Sequence, residues 1–253
     1  MMNLHSFLPL LCALVISLSA QQPPGLPAEK PPTPPSIREV SPGVFQVGGV
    51  KLEKAARRVS LPAKLNMTDG PLEYLLVTGQ GKLHESVLKT DIAPHHLQVA
   101  MLLLGAKGMQ AAPLTNAPAG GPITQSPAGE RNPPLPGEPV LIEVTWTQDG
   151  KPQRRRIEEL VFNKRAKEPM SKGAFTFTGS RVWQGKFIAQ TEGSLIALIT
   201  DPDAVFNHPR PNRDADEAWV VRKQDVPPLD TAVEVSITLL PTEAAPKQKE
   251  KEN

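Results

Sequence analysis

Beyond residue 20 no apolar run is long enough to cross a bilayer, and nearly all are the length of a short strand. That pattern constrains the fold more than anything else in the chain. Residues 44–53, 57–66, 139–148, 155–162, 174–180, 186–190, 194–200, 218–222 and 232–240 are rich in β-branched and aromatic side chains and are bounded by Gly, Pro, Asn or Asp. Ile142, Val144 and Trp146 alternate with Glu143, Thr145 and Thr147, so one face of that strand is apolar and the other wet. The expectation is a β-rich α+β domain over 37–241, built of many short, mostly antiparallel strands in a sandwich-like arrangement. One main buried helix is expected around 94–104.

That helix belongs to the densest apolar stretch, 72–105. Gly79, Gln80 and Gly81 separate two strand-like runs, and residues tolerating positive φ at that place suit a three-residue hairpin loop. A hairpin would set Leu76 opposite His84, Leu75 opposite Glu85 and Tyr74 opposite Ser86. Either face of the second run is partly apolar, so Glu85 needs a partner. Thr90 and Asp91 can then cap a helix with Pro94 in its first turn and Gly105 as its left-handed stop. From Leu97 to Leu104 only Gln98 is polar, the mark of a buried helix. His95 and His96 fall in the first turn, where the helix dipole favours neutral imidazole, the form that ligates metals and accepts protons.

The ends of the chain read differently. Residues 1–20 carry no Lys, Arg, Asp or Glu and hold the apolar run FLPLLCALVISL followed by Ser19 and Ala20, the outline of a signal peptide cleaved after Ala20. Export to the periplasm or beyond is the expectation. Cys12 is the single cysteine and lies inside that leader, so the exported chain would have no disulfide and no thiolate of its own. Residues 21–36 include seven prolines, a spacer with polyproline II character. Residues 107–137 are rich in Pro, Gly and Ala and read as a flexible insertion; 242–253 reads as a disordered charged tail.

With 28 Lys and Arg against 26 Asp and Glu, the formal charge is only +2, and no global field draws the chain to nucleic acid. The one basic run, Arg154-Arg155-Arg156, has no interleaved aromatics and reads as a solvated strand edge. Asn66-Met67-Thr68 fits the glycosylation pattern, and Asn66 reads equally as a polar strand end. The acidic stretch 200–219 places Val205 and Phe206 where a calcium loop needs an oxygen ligand and Gly, so Asx turns and Arg–carboxylate pairs describe it better. Ser86 near His84 has no identifiable orienting acid. The sharpest chemical possibility is a divalent-metal or polar site made by His84, Glu85, His95 and His96. Against it stands a cross-strand His–Glu pair beside ordinary helix-start histidines.

Several of these segments carry a resemblance. Glu73-Tyr74-Leu75-Leu76-Val77, Gly81-Lys82-Leu83-His84-Glu85-Ser86, Leu102-Leu103-Leu104-Gly105, Phe177-Thr178-Gly179-Ser180, Ile196-Ala197-Leu198, Asp201-Pro202-Asp203-Ala204 and Asp214-Ala215-Asp216-Glu217-Ala218-Trp219 together resemble the YdjY-domain family. The likeness spans most of 37–241 and implies an exported bacterial domain without an established activity. Some proteins of that name are described as ferredoxin-like. With Cys12 alone, an iron–sulfur role does not transfer to this chain. Two functions from different classes follow. One is a non-catalytic envelope module that binds a protein, a polymer or a small ligand. The other is a metal-dependent or acid/base enzyme using His84, Glu85, His95 and His96.

Overall fold

The strand runs close on themselves. A computed structural model of the chain describes residues 34–111, 134–215 and 217–241, all within one compact unit, Pro34–Asn253. The leader with Cys12, nearly all of the proline-rich spacer, the middle of 107–137 and the tail 242–253 lie outside the described residues.

In chain order the elements are β1 (Ile37–Ser41), β2 (Val44–Val47), β3 (Val50–Glu53), β4 (Arg58–Leu65), β5 (Tyr74–Thr78), β6 (Ser86–Thr90), α1 (Pro94–Leu103), β7 (Glu138–Gln148), β8 (Lys151–Arg156), β9 (Val161–Asn163), β10 (Glu168–Pro169), β11 (Phe175–Phe177), β12 (Val182–Trp183), β13 (Lys186–Phe187), α2 (Ile188–Glu192), β14 (Ser194–Ala197), β15 (Phe206–Asn207), β16 (Trp219–Val221) and β17 (Ala232–Leu239). Eight strands form a closed mixed barrel in the order β4, β17, β7, β11, β15, β14, β5, β6 and back to β4. The β14–β15 and β5–β6 junctions are parallel and the other six antiparallel.

The fold is therefore β-rich α+β as expected, but it is a barrel and not a sandwich. An alternating strand has one buried face whether its sheet stacks on another or curls round on itself, so the pattern alone cannot choose. The choice is made by β4, whose second edge is shared. There β3 takes Arg58–Ser60, and β6 takes Lys64 and Leu65. Pro62 stands at the fork, where on that edge it belongs to neither ladder, a position that tolerates a residue without an N–H. Its carbonyl accepts the Thr90 hydroxyl at 2.6 Å, tying the seam.

Inside, Ile142, Val144 and Trp146 of β7 all point into the core, as their alternation requires. Phe175, Phe177 and Phe206 are fully buried, with the Phe177 and Phe206 rings 5.4 Å apart. Helix α1 packs on β2, β3 and β4, burying Pro94, Leu97, Ala100 and Met101. It ends as foreseen. Gly105 takes φ +91, its N–H donates to Leu102 O, and the Ala106 N–H reaches back to Met101 O, which is the Schellman pattern.

Two expectations for α1 need correcting. It is not buried all round: Leu97, Ala100, Met101 and Leu104 form the buried face, and Leu102 and Leu103, on the opposite face, are 45% and 44% exposed. Nor do Thr90 and Asp91 cap it. Ala93 is the N-cap and makes no side-chain hydrogen bond there, while the Thr90 hydroxyl is occupied by Pro62 O and the Ile92 N–H.

Two predicted strands also change. Residues 186–190 contribute two strand residues and then turn into α2, whose C-cap Gly193 has φ +72. Within 155–162 a 3-10 turn, Ile157–Leu160, interrupts the strand, with the Glu159 carboxylate accepting the Arg156 N–H. At the start of 107–137 the Lys107 and Gly108 N–H groups both donate to the Glu138 carboxylate at 3.0 Å. Among the described residues no helix is long and apolar enough to cross a membrane.

Candidate functional site

Gly79 and Gly81 do not make a hairpin. Strands β5 and β6 run parallel, with Tyr74 opposite Ser86, Leu76 opposite Leu88 and Thr78 opposite Thr90. The chain must therefore travel back the whole length of β5 through residues 79–85. Four residue steps of strand are roughly 13 Å, whereas seven extended residues reach roughly 23 Å, so a bare return suffices without a crossover helix. Neither glycine takes a positive φ. Gly81 is needed for space instead: a Cβ there would sit 2.8 Å from Val77 Cβ and 3.1 Å from Gly193 O. Asn66 pins the far end of the return, its side-chain amide donating to Leu83 O at 2.7 Å and Ser86 O at 2.8 Å. The polar residue at the end of β4 thus has a structural role in the seam.

This return delivers Lys82 and Glu85 to the foot of β5. A 3-10 turn, Leu83–Glu85, takes His84 and Glu85 out of any strand. The Lys82 ammonium lies 3.0 Å from Glu73 Oε2 and 3.3 Å from Glu85 Oε1, and 5.2 Å from the centre of the Tyr74 ring. Two carboxylates and an aromatic face around one ammonium are a cation-binding arrangement, here filled from within the chain. Burial pulls the Lys82 amine down, but its hydrogen bonds to Glu73 and Glu85 more than reverse this and hold it above its ordinary range. Burial raises the Glu85 carboxyl, and the adjoining Glu73 raises it further. Tyr74 donates its hydroxyl to Asp201 Oδ2 at 3.0 Å; burial, then the charge of Asp201, pushes its phenol up.

Glu73 and Glu85 line an open cleft of about 350 Å³ with Pro71, Lys164 and Glu217. Behind Tyr74, the acidic loop is ordered by its own side chains. Asp201 Oδ1 accepts the Asp203 N–H, Asn207 Oδ1 accepts the Asp201 N–H, and the Asn207 amide donates to Thr178 Oγ1 and Asp201 O. These are the Asx-type turns expected of 200–219.

The four residues considered for a metal site form two pairs. His84, with its side chain 80% exposed, has Nε2 3.8 Å from Glu85 Oε2. His95 and His96 stack edge to face with centroids 4.3 Å apart. His95 Nδ1 lies 2.8 Å from Gln190 Oε1, and His96 Nδ1 accepts the Gly49 N–H at 3.5 Å. Burial, then His95, lowers the His96 pKa and favours its neutral form. Among the described residues, no three His, Cys, Asp or Glu side chains converge to hold a metal ion. Sequence reasoning isolated Glu85 but missed Glu73, Lys82, Tyr74, Lys164 and Glu217. The i,i+3 spacing of Lys82 and Glu85 was the one local signal for the clamp.

No curated protein and no solved structure matches the chain. The family model described as YdjY domain matches residues 50–238, from the first residue of β3 to the penultimate residue of β17, so the barrel strands fall almost wholly within it. A match over that much of the chain, covering the barrel, the return through Lys82 and the acidic loop alike, places this protein in the YdjY domain family.

Proposed function

We propose that this protein is an exported envelope module that binds rather than catalyses, and that its ligand is a basic segment of another polypeptide. The reading rests on the Lys82 clamp. Glu73, Glu85 and the Tyr74 face already hold an alkylammonium at the rim of a charged cleft, and Glu217 extends the acidic lining beyond it. A lysine or arginine from a partner meets the same chemistry there. Lys164 across the cleft gives a matching contact for a carboxylate on such a segment. The apolar leader and the proline-rich spacer support presentation of the barrel outside the cytoplasm, held off from its neighbours. The metal-dependent or acid/base alternative, which needs His84, Glu85, His95 and His96 in one cluster, draws less support: His84 lies against Glu85, whereas His95 and His96 contact each other, Gln190 and Gly49.

Fluorescence anisotropy with labelled hexalysine and hexaglutamate peptides tests this. Hexalysine should bind in a salt-dependent manner, and Glu73→Gln with Glu85→Gln should weaken it about tenfold, or ~1.4 kcal/mol. Equal binding of both peptides, or an unchanged affinity in the double variant, would sink the proposal.

A further inference from the structure

Two polar features that stand far apart in sequence meet inside the protein, away from the cleft. Arg156, the last residue of the basic run, and Arg210, from the loop between β15 and β16, meet at the segment Glu158 holds: Arg156 donates to Glu158 Oε1 and Gly173 O, and Arg210 to the adjoining Ala174 O. Glu158 is fully buried. Its Oε1 takes the Arg156 Nη2–H at 2.7 Å and the Gly173 N–H at 2.8 Å. Arg210 lies over the Phe175 ring, 5.2 Å from its centre, and donates through Nη1 to Ala174 O at 2.8 Å.

The cluster is unfinished in a specific way. Among the described residues, Arg210 Nε and Nη2 are buried and have no hydrogen-bond partner, and neither does Glu158 Oε2. Nε and Nη2 form the side-on edge of the guanidinium, two parallel donors with the spacing of two oxygens on one oxyanion. There are two guanidiniums here for one carboxylate, and that carboxylate is engaged by Arg156. Burying charge without compensation is costly, so the arrangement favours one further negative charge at the Arg210 edge. His208 does not compete for it. Burial, then Arg210, lowers its pKa to about 3, and its Nδ1 contacts Leu198 O at 3.2 Å.

We propose that Arg210, Arg156 and Glu158 form a binding site for a protonated oxyanion, namely a phosphate group that retains a P–OH. Two phosphate oxygens accept from Arg210 Nε–H and Nη2–H, and the P–OH donates to Glu158 Oε2. Arg156 holds Glu158 in place and balances its charge. The same carboxylate selects against sulfate, which keeps no proton at neutral pH and would set a bare oxygen against Glu158. The site shares no residue with the Glu73–Glu85 cleft, and its fate is independent of the peptide-binding proposal.

The test is isothermal titration of the full chain with inorganic phosphate, glycerol phosphate and sulfate at matched ionic strength and about pH 5.5, where both phosphates retain a P–OH and sulfate keeps no proton. Phosphate should bind at least about tenfold more tightly than sulfate. A glycerol phosphate response equal to that of phosphate identifies an esterified group as the ligand, and a weaker one identifies free phosphate; both support the site. Arg210→Lys, which keeps the charge but loses the paired donors, should abolish the phosphate heat while leaving the circular dichroism spectrum unchanged. Glu158→Gln should narrow the phosphate–sulfate gap. Should either variant fail to fold, the wild-type crystal soaked in phosphate decides. Tetrahedral density on Arg210 supports the site, whereas water alone at that edge, or equal heats from phosphate and sulfate, overturns it.

Discussion

Alanine at Gly81 and at Gly79 should have opposite effects, and the contrast tests the parallel return directly. In a three-residue hairpin loop the glycines would be kept for positive φ, and alanine would be strained at them. In the parallel return neither residue has positive φ. At Gly81 the added Cβ meets Val77 Cβ at 2.8 Å, Gly193 O at 3.1 Å and Gly193 C at 3.3 Å, and two of these three are backbone atoms that can yield only by moving α2's end away from β5. Overpacking of that kind costs ~1–3 kcal/mol, and the lower chain entropy of alanine in the unfolded state returns ~0.4–1 kcal/mol. The net expectation for Gly81→Ala is a loss of about 1–2 kcal/mol, or a Tm lower by roughly 2–8 °C for a domain of this size. At Gly79 nothing lies within 4 Å of the position a Cβ would take, so Gly79→Ala keeps only the entropic gain and should be neutral or up to about 1 kcal/mol more stable. Urea unfolding followed by tryptophan fluorescence measures both. A Gly79→Ala variant destabilised as much as Gly81→Ala, or a neutral Gly81→Ala, would refute the reasoning.

Two other perturbations follow from the same geometry. Asn66→Ala removes both hydrogen bonds that pin the return at Leu83 O and Ser86 O and should cost about 1–3 kcal/mol; a urea midpoint unchanged within error would remove Asn66 from the seam. His208 has a folded pKa of about 3, below the unfolded value of about 6.5, so the unfolded chain takes up a proton that the folded barrel refuses. Stability is therefore lost as pH falls from about 6.5 towards 3, by up to about 1.4 kcal/mol per pH unit, and His208→Gln should flatten that slope in urea titrations at pH 4 and pH 7.

Strands were legible because their signal is local. The alternation of Ile142, Val144 and Trp146 specifies which side faces the core, whatever the sheet does next. The α1 terminus was legible for the same reason, since Gly105 announces a left-handed stop within one turn of the leucines before it. Closure was not legible. It depends on β6 meeting the last two residues of β4, a contact between segments that share no local pattern, and on a glycine kept for clearance rather than for a turn. The glycine doublet reads the same in either case, because sequence shows that a side chain is missing and not which neighbour it would have struck.

The polar sites divide along the same line. Glu85 in a partly apolar run signalled that a partner was required, and the structure supplies Lys82 three residues upstream, shared with Glu73. The partner is local, but the second carboxylate that competes for it is there only because β5 and β6 lie side by side. Arg156 and Arg210 are the extreme case. In sequence one is the end of a basic run and the other sits among prolines, and each has an ordinary solvated reading. Arg156 pairs locally with the buried Glu158 two residues on, but only the barrel brings Arg210 to the neighbouring Gly173–Ala174 segment, and once there neither can be treated as surface charge. A guanidinium edge shielded from water must be answered by an anion, by an ordered dipole or by a loss of stability. Removing the charge separates these cases. If Arg210→Met stabilises the protein in phosphate-free buffer and loses that advantage as phosphate is added, then the edge is carried at a thermodynamic cost for the sake of its ligand. If Arg210→Met is destabilised to the same degree with and without phosphate, the arginine is a structural member of the core, and the phosphate site does not exist.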